Sequence, residues 1–566
     1  MYLDFLVSIP STHIVRITRD GVKYIYYEYD RKYDGKKGYN SAKRACIGKQ
    51  SEEDCNKMYP NQNYLKHFPG VELPTEKSPF LRSSALKVGM YILIDHIATS
   101  MGIKEILNTI LGEDDGGLFL DFAAYTIVTE GNAAQYYPDY AFNHALFTKD
   151  MYLYSDSKLS EFLHEMREDA PTLFLNDWTR KNKGNDKIYI SYDSTNKNSQ
   201  AGELEILEYG KAKDDKGLPI FGYSIAYDRT NSIPLFYEEY PGSIVDISQL
   251  EFMLEKASSY GYRNATFILD RGYFSKSNLR LLEKKHYGYI IMLKGMNSLV
   301  EEVVTEKRNS FENDRDCYVR KYGVYGTTVE RKLYTDNTKE KHIHLFHSNE
   351  RRAAETWNLE KKLNQMMDTM DKHKNTRFDF EGAYRYYFNL TYDEDGVFLM
   401  YSEKKHVIEE ELSYCGYFCI VTSEKMSASE ALEIYKSRDE NEKLFRGDKS
   451  YLGDKSMRVY STESTSSKIF IEFVALIIRS KIYTYLRDAM KKIKSKPNYG
   501  TVPACVRELE KIEMVRHFDG VYRIDHAVTK HQRDILSFFG LDGDMVLRRA
   551  TEIGKVLTIQ KKGVKD

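Results

Sequence analysis

Two aspartates follow segments rich in β-forming residues. Asp193 closes the run IYISYD, and Asp270 closes the run ATFILD. A carboxylate at the end of a strand is held by a stiff backbone and faces the space beyond the sheet, where two neighbours can share hard divalent cations. A single aspartate after a strand is more often a turn residue or a helix cap. Neither aspartate therefore identifies a metal site by itself.

A third carboxylate comes from a charged segment further along the chain. Ser427 and Glu430 have the spacing of a capping box, which predicts a helix from there to about Arg446. At about 100° per residue, four polar side chains share one face if the helix continues past Gly447: Tyr435, Arg438, Glu442 and Lys449. The alternative is a solvated charged face, but such a face does not account for the two aspartates upstream.

An α/β core is predicted to position these side chains. Five short β-rich runs predict strands: IYISYD, LPIFGYSIAYD, SIPLFYEEY, ATFILD and YIIML. Asp246 begins a predicted helix with one apolar stripe, formed by Leu250, Met253, Leu254 and Ala257. A second helix is predicted over KSNLRLLEKKH. This order of elements predicts an α/β fold, in which helices flank a mixed five-stranded sheet.

The blocks around these residues resemble those of a known family. The spacing Tyr-x-x-Arg-x-x-x-Glu-x(6)-Lys matches the Tyr-Arg-Glu-Lys signature of the bacterial insertion-sequence transposases with a DDE catalytic triad, namely insertion-sequence family four and its relatives. YDSTN and LDRGYFSKSNLRLLEKKHYGYIIMLK are similar to the family's blocks around its first and second aspartates, and YPGSIVDISQL is similar to the block between them. The similarity extends roughly from Ile188 to Leu486. It departs from the family at Ser467-Lys468, where members often have Gly-His.

The resemblance implies an RNase H-like catalytic core, interrupted by a β-rich insertion, in which three carboxylates hold two Mg²⁺ ions that Mn²⁺ can replace: Asp193, Asp270 and Glu442. It further implies that Arg438 and Lys449 hold DNA phosphates beside the metals, with structural ion pairs as the alternative. Tyr435 is expected to pack or hydrogen-bond at the same DNA backbone. Arg271 and Lys294 either face phosphate or are ordinary surface charges.

The implied activity is metal-dependent cleavage of DNA strands at the inverted-repeat ends of a mobile element. Transfer of the 3′-OH ends into target DNA would follow, by a cut-and-paste route. The implied partners are double-stranded DNA and a second copy of the chain, because a homodimer would hold both ends together. Trp357 lies in the insertion, where related enzymes stack a flipped base, although core packing is the favoured interpretation of this residue.

The chain of 566 residues is long enough for several structural regions. Six are predicted: a β-rich region (1–75), a helical region expected to bind DNA ends (76–186), the first part of the core (187–300), a β-rich insertion (301–420), the final core helices (421–486) and a helical tail (487–566). Asp20-Gly21 marks a hairpin in the first region. In the tail, VRELEKIEMV and RDILSFFGL carry apolar residues at helical spacing, which need the core or a second protomer as a partner.

Composition limits the partners and the cellular compartment. The 83 Lys and Arg against 84 Asp and Glu give a net charge of −1, so any basic DNA-binding surface must be local. Six cysteines are too few for a disulfide framework. The longest apolar run, IFIEFVALII, is interrupted by Glu472 and is too short to cross a bilayer. We expect a bacterial cytoplasmic protein that associates with the nucleoid and not with a membrane.

Three alternative functions share parts of this pattern. A different RNase H-like metal nuclease would use the same carboxylates but lacks the Tyr-Arg-Glu-Lys helix. A catalytically silent or domesticated DNA-binding descendant would keep the fold without the chemistry. A haloacid-dehalogenase-like phosphatase needs a second aspartate two residues after the first, and Thr195 occupies that position. Only the first two alternatives stay open.

Overall fold

The computed structural model describes most of the chain, in the residues 2, 6–19, 21–34, 38–51, 54–69, 82–182, 186–199, 204, 206–210, 218–244, 246–336, 339–438, 456–459, 461–493, 497–517 and 520–563. Its internal contacts divide the chain into two compact units. The first unit consists of Met1–Phe174, Tyr451–Asp454 and Glu463–Asp566, and the second consists of Leu175–Ser450 and Lys455–Thr462.

The first unit begins with a five-stranded antiparallel sheet in the order β1-β5-β4-β3-β2. Its strands are β1 (Val7–Ser8), β2 (Ile14–Arg19), β3 (Val22–Asp34), β4 (Tyr39–Gln50) and β5 (Lys57–Pro60). The pairing of Arg19 with Val22 confirms the hairpin predicted at Asp20-Gly21. Helix α1 (Gln62–His67) packs with the buried Ile25 and Ile47 through Tyr64.

Helices form the next part of the chain, as predicted. After β6 (Ala85–Lys87) come α2 (Gly89–Ser100), α3 (Ile103–Leu111), α4 (Glu113–Thr129), α5 (Tyr137–Asn143), α6 (Asp156–Glu165) and α7 (Ala170–Asn182). Several of these helices are apolar on more than one face and are therefore buried. In α4, for example, every residue from Gly116 to Ile127 is buried.

A ten-stranded mixed sheet forms the core of the second unit. In chain order, the strands and helices of this unit after α7 are β7 (Ile188–Ser199), β8 (Ile220–Asp228), β9 (Ile233–Pro241), α8 (Asp246–Ser259), β10 (Ala265–Leu269), α9 (Lys276–Lys284), β11 (Gly288–Met292), α10 (Asn297–Lys307), β12 (Tyr318–Val319), β13 (Val324–Arg331), β14 (Lys341–His347), α11 (Asn349–Lys372), α12 (Ala383–Tyr387), β15 (Phe388–Tyr392), β16 (Phe398–Glu403), α13 (Lys405–Ser413), β17 (Tyr417–Thr422), α14 (Ala428–Lys436) and β18 (Ser456–Met457). The mixed α/β character predicted from the sequence is confirmed, and the predicted apolar stripe of α8 is buried.

The number of strands in this sheet differs from the prediction of five. The order is β12-β13-β14-β17-β11-β10-β7-β8-β9, and β18 pairs with β7. Strand β17 pairs antiparallel with both β11 and β14, so strands predicted to lie in an insertion extend the same sheet. Among the described strands, only β10 has parallel partners along both of its edges, β7 and β11.

Part of the predicted insertion does form a separate apolar cluster. Helices α11, α12 and α13 pack with the hairpin β15–β16 around Met370, Phe388 and Phe398. Trp357 lies on α11, and 69% of its surface is exposed. The expectation that Trp357 packs in a core is therefore wrong. Its helix is rich in charged residues and buries only Leu363, Met366 and Met370, all of which follow Trp357 in the chain.

One buried histidine joins three strands of the large sheet. His344 of β14 is fully buried, and its Nδ1 and Nε2 lie 2.9 Å from Thr328 Oγ1 and 3.0 Å from Thr422 Oγ1. These two threonines belong to β13 and β17. Burial lowers the pKa of His344 to about 4, so the imidazole is neutral at pH 7.

The C-terminal part of the chain completes the first unit. Its elements are α15 (Thr462–Lys492), α16 (Val502–Leu509), β19 (Glu513–Arg516), β20 (Tyr522–Ile524), α17 (Lys530–Phe538) and α18 (Gly543–Gly563). Strand β19 pairs with both β20 and β6, which joins the two ends of the chain in one small sheet. The apolar residues of the tail, such as Leu509 and Leu536, are buried, so the chain itself supplies their partner. Within the described residues, we find no helix with the length and apolar character needed to cross a bilayer.

Candidate active site

The structure places the two predicted aspartates on adjacent parallel strands. The parallel pairing of β7 with β10 ends with Tyr192 opposite Leu269. Asp193 and Asp270 directly follow these two residues in the chain, and both side chains are half-buried. Because neighbouring strands lie about 4.8 Å apart, carboxylates at this level can contribute to one site.

Asp193 does not end its strand, in contrast to the prediction. Strand β7 continues to Ser199, because β8 pairs antiparallel with it from Ile190 to Asn198. Every residue of β8 is buried, and this strand pairs with the polar continuation of β7 as far as Asn198. Asp270, by contrast, directly follows the last residue of β10, as predicted. The Asp193 carboxylate accepts a hydrogen bond of 2.9 Å from the amide of Ser194.

A buried tyrosine fixes the loop that carries Asp270. The amide of Tyr273 donates a 3.0 Å hydrogen bond to the carbonyl of Asp270, and its hydroxyl donates a 3.0 Å hydrogen bond to Ser194 Oγ on β7. The carbonyl of Tyr273 accepts a 2.9 Å hydrogen bond from Asn278 at the start of α9. Tyr273 thus couples the positions of the two aspartates. Tyr273 was not among the predicted site residues, although it lies in the LDRGYFS block that carried the resemblance.

Arg438 is brought directly to Asp270. Its Nη1 lies 2.8 Å from Asp270 Oδ1, with the two side chains 24% and 38% exposed. The guanidinium carbon lies 5.5 Å from the ring centre of Tyr435. Tyr435 itself is only 5% exposed and packs with Ile268 and Leu432 in the core. Tyr435 therefore anchors the end of α14, and Arg438 extends from this anchor to the carboxylate.

The helix that carries these residues is shorter than predicted. The capping box of Ser427 and Glu430 is present at its start, as predicted. However, α14 ends at Lys436, and Ser437 is its C-terminal cap: the Ser437 amide shares its hydrogen bond between the carbonyls of Glu433 and Ile434, and its hydroxyl donates a 2.5 Å hydrogen bond to the Ile434 carbonyl. The continuous helix to Arg446 is therefore wrong at this point. Glu442 and Lys449 lie outside the described residues.

A cavity of about 300 Å³ adjoins Asp270 through the next residue, Arg271. Lys294 lines the same cavity, so the structure brings together the two basic residues predicted to follow β10 and β11. Both side chains are exposed. Arg351, which the sequence analysis did not single out, adds a third cation from α11, and its guanidinium lies over the ring of Phe418 at 5.2 Å.

Comparison with known proteins identifies the family. The model of the transposase DDE domain matches residues 181–478, which is more than half of the chain and includes both aspartates and Arg438. The chain belongs to the DDE-domain transposase family. The search of curated proteins gives no match.

One solved structure with some similarity to this transposase is the piggyBac transposase synaptic complex with hairpin DNA. The two chains share 9% sequence identity with a TM-score of 0.33, over 74% of this chain and 70% of that chain. A TM-score of this size carries no argument about the fold.

DDE-domain transposases generally use divalent metal ions, and the side chains present here fit that chemistry. Asp193 and Asp270 offer carboxylate oxygens, the ligands that hard cations such as Mg²⁺ prefer. The part of the chain that the structure describes holds no group of three or more His, Cys, Asp or Glu side chains arranged around a metal. Glu442, the third carboxylate expected from the sequence, lies outside that part.

Proposed function

We propose that this transposase cleaves DNA strands at the inverted-repeat ends of a bacterial insertion sequence and transfers the 3′-OH ends into target DNA by a cut-and-paste route. We assign it to insertion-sequence family four and its relatives, and its second unit to an RNase H-like core. The observation that carries the proposal is the placement of Asp193 and Asp270 at one level of two parallel strands, with Arg438 on Asp270. Both aspartates lie inside the matched transposase domain.

In this proposal, three carboxylates hold two Mg²⁺ ions, for which Mn²⁺ can substitute: Asp193, Asp270 and Glu442. When bound, the ions activate the attacking oxygen and stabilise the leaving oxygen of an in-line displacement at phosphorus. The hydrogen bonds of Tyr273 hold Asp270 in place relative to β7, so the two carboxylates need little rearrangement. Such fixed positioning by a rigid scaffold is what a metal-dependent site requires.

The basic side chains around Asp270 are assigned to the DNA backbone. Arg438, which pairs with Asp270 in the structure, would hold a substrate phosphate, and Lys449 would hold a neighbouring one. Arg271 and Lys294 extend this positive surface along the cavity beside Asp270. Tyr435 acts from the core by supporting the guanidinium of Arg438. Phosphate contacts of this kind position the duplex and do not depend on its sequence.

The active form is proposed to be a homodimer that holds both element ends, in the bacterial cytoplasm and at the nucleoid. The family resemblance supports this state, since cutting and joining must be coordinated between two ends. The buried tail helices give it no support, because their apolar faces are already covered within one chain. Mass measurement with and without end DNA tests the dimer. Complete strand transfer by a complex of one protein copy with a single DNA end would rule the dimer out.

The catalytic assignment is tested by single substitutions at the carboxylates. We expect Asp193→Asn, Asp270→Asn and Glu442→Gln each to abolish Mg²⁺-dependent cleavage of a duplex that contains the inverted repeats bracketing the gene. DNA binding and the thermal unfolding midpoint should stay near those of the wild type. Glu433→Gln is the matched control, because Glu433 is an exposed carboxylate on α14 that pairs with Lys321 away from the site.

The outcomes separate the candidate functions. A folded variant of any of the three carboxylates that cuts DNA at a near-normal rate would show that the triad is wrongly assigned. A wild-type protein that binds the repeats and never cleaves them under any divalent metal would indicate the silent, DNA-binding descendant instead. Cleavage of DNA without preference for the repeats and without strand transfer would indicate another metal nuclease.

A further inference from the structure

Two strands of the N-terminal sheet extend well beyond their neighbours. Strand β2 pairs with β3 only from Val22 to Tyr27, and β5 pairs with β4 only from Gly48 to Gln50. The remaining parts of β3 and β4 pair with each other, from Glu28 opposite Arg44 to Asp34 opposite Tyr39. At the base of this ribbon, the amide of Glu28 also donates a 2.8 Å hydrogen bond to the carbonyl of His13. We call residues 28–44 the arm. Seven residues of extended chain give it a reach of roughly 20 Å from the sheet.

The arm is more basic than the chain that carries it. Residues 28–44 contain six Lys and Arg and three Asp and Glu, a net charge of +3, whereas the whole chain has a net charge of −1. The two acidic side chains nearest the sheet are already paired. Glu28 lies 2.7 Å from Arg44 and 3.4 Å from Arg31, and Asp30 lies 2.9 Å from Lys43.

The arm also exposes large aromatic side chains. Tyr33 and Tyr39 are 66% and 59% exposed. Their rings therefore contribute little to the packing of the protein. Phenol rings beside guanidinium and ammonium groups can make both apolar contacts and hydrogen bonds to a polar partner.

The base of the arm is fixed to the rest of the sheet. The Tyr29 ring stacks on His67 of α1 with ring centres 4.9 Å apart, and the Tyr27 ring packs edge-on against Phe68 at 4.9 Å. The pairing of β3 with β4 shifts register twice, between Ile25 and Tyr26 and again just beyond Glu28. Such irregularities increase the twist of a two-stranded ribbon. A twisted ribbon that is anchored at one end projects in a defined direction.

From these features we propose that the arm binds in the major groove of duplex DNA, an inference that rests on the proposed function. The major groove is about 12 Å wide and admits a two-stranded β-ribbon. Alternation along the strands places Arg31, Tyr33, Asn40 and Arg44 on one face of the arm, and Lys32, Tyr39 and Lys43 on the other. The first face carries Arg and Asn, which recognise guanine and adenine edges, and the second carries lysines for the phosphates.

The test measures binding of a fluorescein-labelled duplex of about 30 bp and mixed sequence by full-length protein in EDTA, from about 50 to 200 mM KCl. One variant shortens the arm by replacing residues 31–42 with Asn-Gly, which can close a turn between the paired Asp30 and Lys43. A second variant combines Lys32→Gln with Lys43→Gln. EDTA prevents cleavage, so the measurement is independent of catalysis.

The matched control combines Lys372→Gln with Lys374→Gln at the end of α11. Lys374 and Asp371 form an ion pair of 2.7 Å with side chains 45% and 50% exposed, and the Lys43–Asp30 pair is 47% and 50% exposed. Control and test variants therefore lose the same charge and similar ion pairs. Unchanged circular dichroism and thermal unfolding would verify that each variant folds.

We expect the double lysine variant of the arm to reduce the slope of log Kd against log[salt] by about 1 for each lysine that contacts phosphate. The shortened arm should reduce the slope further, while the control keeps the wild-type slope. Wild-type affinity and slope in the folded, shortened variant would overturn the proposal, as would an equal loss in the control. A change only in oligomeric state would also overturn it and assign the arm to contacts between protein copies. Failure of the wild type to bind any duplex would instead refute the proposed function.

Discussion

Replacement of Arg438 by glutamine is expected to tighten the binding of divalent metal at the candidate site in the absence of DNA. In the structure, Arg438 Nη1 lies 2.8 Å from Asp270 Oδ1 and forms an ion pair with this carboxylate. A metal ion that binds this carboxylate must displace or weaken the ion pair. The Arg438→Gln substitution removes this competition and also removes one positive charge that repels the cation.

The size of the effect follows from the exposure of the pair. The Asp270 side chain is 38% exposed and the Arg438 side chain is 24% exposed, so solvent screens their attraction substantially. Pairs of this kind contribute up to about 1 kcal/mol. Because 1.4 kcal/mol corresponds to a factor of ten, the variant should bind metal up to about fivefold more tightly.

The measurement is a titration of DNA-free protein with Mn²⁺, in which electron paramagnetic resonance reports the free ion. Lys321→Gln is the control, since Lys321 pairs with Glu433 of α14 at 2.7 Å and the substitution removes the same charge. DNA cleavage by Arg438→Gln should nevertheless be slower than that of the wild type, because the variant also loses the proposed phosphate contact. Unchanged or weaker Mn²⁺ binding in a folded Arg438→Gln protein would refute competition between Arg438 and the metal for Asp270. An equal gain in Mn²⁺ affinity in the control would show that only the loss of a positive charge matters.

Two further predictions concern the second unit, whose unfolding is reported by tryptophan fluorescence because both tryptophans lie in it. Burial lowers the pKa of His344 from 6.5 to about 4. As the pH falls, the unfolded chain therefore binds a proton at this histidine before the folded chain does. The contribution of His344 to the free energy of unfolding is complete above pH 6.5 and is lost as the pH falls toward 4. The loss is about 3 kcal/mol of unfolding free energy. His344→Gln should remove it, so that the urea midpoint depends less on pH between 6.5 and 4. An unchanged pH profile in the variant would contradict the lowered pKa of His344. Trp178 is fully buried and its indole N–H donates a 3.0 Å hydrogen bond to the carbonyl of Pro234, whereas Trp357 is 69% exposed. Trp178→Ala should therefore destabilise the unit by about 3 to 5 kcal/mol and Trp357→Ala by less than about 0.5 kcal/mol, and similar urea midpoints for the two variants would exclude this difference in burial.

Five strands of the large sheet were predicted from the sequence, because β-rich runs mark strands, whether their apolar residues alternate on a half-buried strand or are continuous on a fully buried one. The sequence did not show that β7 continues past Asp193. The segment Ser194–Ser199 is entirely polar, and its extended conformation is imposed by pairing with β8. Pairing between segments distant in sequence is a tertiary effect that overrides local preference.

The end of α14 shows the same limit on a smaller scale. Its capping box was predicted correctly, because the side chains and the amides that they cap are only three residues apart. Its end at Lys436 was not predicted, because the residues from Lys436 to Glu442 include no Gly or Pro that would mark the end of a helix. The contact between Arg438 and Asp270 joins residues 168 positions apart, and only the fold brings them together.

The junction of β6 with β19 has a consequence for synthesis of the protein. Residues 85–87 lie in one sheet with residues 513–516, so the first unit cannot be completed until almost the entire chain has left the ribosome. At 5 to 20 residues per second, the roughly 340 residues between Phe174 and β19 take about 20 to 70 s to translate. During that interval the emerging N-terminal segments lack the strand and helices that complete the first unit. A chain that terminates early, in the second unit for example, carries both aspartates but no complete first unit, so truncated products should be removed by proteolysis before they compete with intact protein for DNA.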